Sequence, residues 1–102
     1  MRDYDTVNFD ALTYPQKAAV VIVALGAERA SELYQHMDHD DIEALTREIA
    51  RLRTMSSGQI QKILAEFYQF CLLNKAITED DLDYYARTVL GRAFLKGDEI
   101  GG

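Results

Sequence analysis

TYPQKAAVVIVALG, residues 13–26, is the stretch whose reading decides between a buried strand, a membrane span, a secretion signal and a helix apolar on every side. Ala18 to Leu25 are all apolar, and Val20, Val21, Ile22 and Val23 are β-branched. The residues around this run select the helix. Thr13 and Gln16 have the spacing of a capping box, in which the Thr hydroxyl accepts from the amide of Gln16 and the Gln side chain reaches back. Pro15 falls in the first turn, where its missing N–H costs nothing. Gly26 stands where a helix-ending residue belongs. A helix is therefore expected over 14–25. Its four β-branched residues cost ~2 kcal/mol of propensity, and each returns ~1.5–3 kcal/mol if fully buried. The helix holds only if most of its surface is covered. At about 100° per residue, Ala19, Ile22 and Val23 fall on one side, Val21 and Leu25 on another, Val20 and Ala24 on a third. Such a helix is either the centre of its fold or shared with another chain, and periodicity alone leaves both open.

The other readings fail on simple grounds. Ala18–Leu25 rises only ~12 Å as a helix, against ~30 Å of hydrocarbon. Asp3, Asp5 and Asp10 make the preceding segment acidic, where a secretion signal should be basic. The chain has 102 residues, 48% apolar and 27% charged, which suits one globular domain. A formal charge of −6 argues against nucleic acid and against an anionic membrane surface. The single cysteine, Cys71, rules out an internal disulfide and sits among Phe70, Leu72 and Leu73, as a buried filler would.

Further helix signals follow in series. A second helix is expected over 28–37, with Ala30, Leu33, Tyr34 and Met37 on one face. Asp38 is a candidate N-cap for a third, which carries Ile42, Leu45, Ile49 and Leu52 inward and Glu43, Arg47, Glu48 and Arg51 outward. Ser56 and Gln59 open a fourth, running to about Asn74 with Ile60, Ile63, Leu64, Phe67 and Cys71 inward and a second stripe at Phe70, Leu73 and Ile77. Thr78 and Asp81 open a fifth, with Leu82, Tyr85, Ala86, Val89 and Leu90 on its face. No period-2 run bounded by hairpin turns is present. DDIEALTREIA at 40–50 is echoed by DDLDYYARTVL at 80–90, at an offset in the range of armadillo-like repeats. The same echo would arise between any two acid-capped amphipathic helices.

Little in the sequence points to chemistry. QHMDHDD, 35–41, offers His36 and His39 beside Asp38, Asp40 and Asp41, but these acids have a simpler use at the start of a helix. There is no nucleophile motif, no glycine-rich phosphate loop and no catalytic carboxylate pair. Neither an enzyme nor a cofactor or metal site is expected.

One family resemblance ties these pieces together. Leu12, then Gln16–Ala19, the apolar run and Leu25–Gly26 are followed by Glu48, Ile49, Ala50 and Leu52, by Glu66, Phe67 and Tyr68, and by Tyr85, Ala86 and Arg87. In order and spacing this resembles the N-terminal domain of the flagellar motor switch protein FliG family, over about residues 12–95. The resemblance implies an all-α fold of about five helices in a compact, armadillo-like right-handed bundle. Residues 1–11 show no period and are expected to form a flexible leader, while the resemblance implies the helical domain over 12–95 and the start of a linker over 96–102, so that the chain looks like part of a longer protein. It further implies a cytoplasmic domain at the inner face of the cell membrane, in the flagellar basal body. There it would anchor the switch (C) ring to the membrane (MS) ring by binding the cytoplasmic C-terminal tail of the MS-ring protein, and would contact neighbouring copies of itself. No nucleic acid and no direct membrane insertion are expected. If the first helix is shared with that tail, Val21, Ala24 and Leu25 are candidate contacts, flanked by Phe70, Leu73 and Tyr84. Two other readings stand beside this one: a metal-sensing cytoplasmic domain like that of magnesium channels, and a generic helical adaptor.

Overall fold

The computed structural model describes residues 9–75 and 78–94. Its elements are a 3₁₀ turn at Phe9–Ala11 and five α-helices: α1 (Tyr14–Leu25), α2 (Ala27–Tyr34), α3 (His39–Arg53), α4 (Ser57–Leu73) and α5 (Glu79–Phe94). The expected bounds of α1 are met at both ends. The N–H of Gln16 donates to Thr13 Oγ1 at 3.3 Å, and the N–H of Thr13 donates to Gln16 Oε1 at 2.9 Å. At the other end Gly26 serves two helices. Its N–H donates to the carbonyl of Ile22, and its own carbonyl accepts from the N–H of Ala30. The chain turns there at φ 93°, ψ 169°, a region that only glycine occupies without strain.

The apolar run is the centre of the molecule. Ala18, Ala19, Val20, Val21 and Ile22 are all buried. α3 and α5 pack along α1 as its two main walls, and α2 and α4 also touch it. Around them Leu33 of α2, Leu45 and Leu52 of α3, Ile63 and Phe67 of α4, and Ala86 and Val89 of α5 complete one core. These residues are the stripes expected from periodicity. The helices form because burial of these stripes outweighs the weak propensity of the β-branched positions.

Three expectations are corrected. The leader does not extend to residue 11: Phe9 is 2% exposed, its ring 5.3 Å from that of Phe67 and 5.4 Å from that of Phe70. Its N–H donates to the carboxylate of Glu66 at 2.9 Å. One large aromatic ring with a polar tie is enough to fasten an otherwise aperiodic segment to the core. The second helix stops at Tyr34, because His36 and Met37 donate to the carbonyls three residues back and tighten the chain into a turn. Asp38 holds the N-cap position of α3 with extended dihedrals, but its side chain makes no capping hydrogen bond. The hydroxyls expected to cap α4 and α5 do accept, Ser56 from the N–H of Gln59 and Thr78 from the N–H of Asp81.

The echo between 40–50 and 80–90 falls on the two helices that flank α1, yet they bury different positions. Ala86 and Leu90 of α5 are buried, whereas their counterparts Thr46 and Ala50 of α3 are exposed. The likeness is one of helix design, an acidic first turn followed by an apolar stripe, and not of equivalent packing.

Candidate partner-binding groove

The last turn of α1 leaves the core. Val23, Ala24 and Leu25 are half-buried where Ala18–Ile22 are sealed. On one side of that turn lies a groove of about 280 Å³. α1 contributes Ala24 and Leu25, α4 contributes Phe67, Tyr68, Cys71 and Leu72, and α5 contributes Leu82. The hydroxyl of Tyr68 and the thiol of Cys71 are the only polar side-chain atoms in that set. The floor is firm, since Phe67 is buried and stacks, with Phe9, Phe70 and Tyr85, in one aromatic cluster. The rim is open: Tyr68 is 53% and Leu72 63% exposed. Burial pushes the Cys71 thiol above its ordinary pKa. Burial likewise pushes the phenol of Tyr85 up to about 12.

A second depression lies on the other side of the same turn. It is lined by Val23, Gly26 and Ala30, and also by Ser31, Tyr34, Thr46 and Arg53, so it offers polar as well as apolar atoms. A third, below the 3₁₀ turn, has Phe9, Phe70 and Leu73 set among Asp10, Glu66, Gln69 and Asn74.

The six candidate contacts are thereby distributed. Ala24 and Leu25 stand together in the apolar groove. Phe70 and Leu73 belong to the third depression, with Leu73 81% exposed. Tyr84 is exposed on the outer side of α5. Val21 is 1% exposed, sealed under the neighbouring helices, and offers no surface to a partner. Ile77 lies outside the described residues. Tyr68, Leu72 and Leu82 were not anticipated as groove residues. FYQFCLL, 67–73, is too continuously apolar to show which flank of the core stripe faces α1. The i,i+4 pair Tyr68–Leu72, beside the Phe67–Cys71 pair, is the signal that marks it.

One polar tie stands beside the groove. From the first turn of α2, Arg29 Nη2 lies 2.7 Å from Asp83 Oδ1 and donates to the carbonyl of Glu79 at 3.2 Å, while Nη1 lies 3.3 Å from the Glu79 carboxylate. The hydrogen bond to Asp83 raises the pKa of Arg29 further, against the opposing effect of burial. Elsewhere, His39 Nε2 lies 3.5 Å from Glu43. Among the described residues no three His, Cys, Asp or Glu side chains come together as a metal site, and no helix is long and apolar enough to cross a membrane.

Four helices wrapped on a central fifth, with an apolar groove left open at its end, define the class: an all-α module whose least satisfied surface is hydrophobic. The family follows from comparison. The FliG N-terminal domain matches residues 11–99, and the chain belongs to that family. It is 33% identical over 90% of its length to the flagellar motor switch protein FliG of Borreliella burgdorferi. It is 34% identical over 82% of its length to that of Bacillus subtilis, and 35% over 78% to that of Thermotoga maritima. It spans 26%, 25% and 23% of those three relatives respectively, about a quarter of each. No solved structure matches the chain at a significant level.

Proposed function

We propose that this domain works in the rotor of the bacterial flagellum, at the basal body, as an anchor and not as a catalyst. In this reading its apolar groove takes a helix from the cytoplasmic C-terminal tail of the MS-ring protein and so fastens the switch ring to the membrane ring. Family membership supports the flagellar setting. The observation that carries the tail-binding reading is the open groove itself, where Ala24 and Leu25 face Leu72 and Leu82 with almost no polar atom between them. An amphipathic helix laid into such a groove buries one apolar stripe against it. Exposed Leu73 and Tyr84 lie away from the groove and are left for contacts with neighbouring copies in the ring.

Ala24→Glu tests the reading. Ala24 is small and half-buried, so a carboxylate can still reach water in the free domain but would be trapped, unpaired, beneath a bound helix. The variant is expected to keep its helical circular dichroism and melting temperature while losing affinity for the tail by at least ~100-fold, equivalent to ~2.7 kcal/mol. Calorimetric titration with the tail peptide checks it. A folded variant that binds at full strength would remove the groove from the interface.

A further inference from the structure

We propose that Arg29 is a positioning residue which holds α5 against α2 and thereby sets the width of the apolar groove. Ahead of Ala86 the core holds α5 only through partly buried side chains. The helix's buried side chains, Ala86, Val89 and Leu90, begin only at the eighth of its 16 residues. Ahead of them Leu82 and Tyr85 are only partly buried. Leu82 is the α5 wall of the groove, and Asp83 is its neighbour in the chain. Leu25, on the facing wall, is four residues before Arg29, with the Gly26 turn between them. The guanidinium grips α5 at two successive turns, through Glu79 and Asp83, and so fixes the end of the helix that carries Leu82. Its Nε is buried with no hydrogen-bond partner. A donor left unsatisfied in this way is costly, and the strong grip on α5 compensates for it. The pair with Asp83 is only partly buried, with 23% of the Arg29 and 32% of the Asp83 side chain exposed, so its contribution to global stability is small. Its effect is local, on the first turns of α5, where no side chain is fully buried.

The consequence for tail binding rests on the proposed function; the effect on the free groove does not, and the test separates the two. Cys71 in the groove reports its opening. In the 102-residue chain, native labelling of Cys71 by a maleimide at fixed pH should be slow. Arg29→Ala should speed it at least ~5-fold through local opening, with helical circular dichroism retained. Combining Arg29→Asp with Asp83→Arg should restore the slow rate, which a role confined to bulk packing would not do. If Arg29→Ala loses helicity, Asp83→Asn, which removes only the charge, decides in its place. Unchanged labelling in the deciding variant overturns the proposal, whatever happens to the tail. Faster labelling together with undiminished tail affinity upholds the clamp and counts against the groove as the tail's site.

Discussion

Residues 18–22 and 23–25 of α1 are equally apolar and equally helical, yet they have different surroundings. The first five are walled by neighbouring helices on every side. The last three border a groove on one side and a mixed depression on the other. Their own chemistry does not separate them; the course of the neighbouring helices does. Gly26 turns α2 away at a backbone angle closed to other residues, and α5 reaches this level with its less anchored half. Apolar character states that a side chain must be covered. Topology states whether the same chain supplies the cover.

That contrast can be broken most forcefully by placing one charge in both halves. Val20→Glu buries an unpaired carboxylate where nothing can receive it, and should cost about 3–5 kcal/mol. A chemical denaturation curve should show that loss, whereas Ala24→Glu should stay within about 1 kcal/mol of the parent. Equal losses would mean that the last turn is as sealed as the first. Phe9→Ala tests the opposite edge of the core. Removing the ring that lies between Phe67 and Phe70 should cost about 3–5 kcal/mol by the same measurement, the lower end applying if the chain collapses into the space. A loss below about 1 kcal/mol would return Phe9 to the role of a loose leader. Gly26→Ala addresses the turn that creates the contrast. A methyl group there meets no neighbouring atom, so the expected cost of roughly 1–3 kcal/mol is backbone strain alone. A melting temperature equal to the parent's would show that the turn relaxes without it.

The helices were legible in the sequence because their signals are local. The capping pair Thr13–Gln16, Pro15 and Gly26 bracket α1 at its observed ends, and the core stripes on α3, α4 and α5 follow the helical period. Phe9 was not legible: a single ring in an aperiodic acidic stretch has no period to reveal it, and only the pocket between two rings of α4 gives it a place. The groove was half legible. Ala24 and Leu25 could be singled out as apolar positions in excess of what one face of a helix needs. Val21 met the same criterion and proved to be core, because the criterion does not sense how far each neighbouring helix extends. Tyr68, Leu72 and Leu82 depend on the rotation of α4 and on the position of α5, which are properties of the assembled fold.

The central position of α1 has a consequence for synthesis. The helix precedes the other four in the chain, but one of its two main walls is α5, the last helix among the described residues. A ribosome releasing ~5–20 residues per second needs roughly 3–13 s to add the ~65 residues between Leu25 and Leu90. For that interval the most apolar segment of the chain is without part of its shelter. A nascent chain halted before α5 therefore displays the same greasy helix that the finished domain conceals, and should be bound by chaperones that the completed chain escapes.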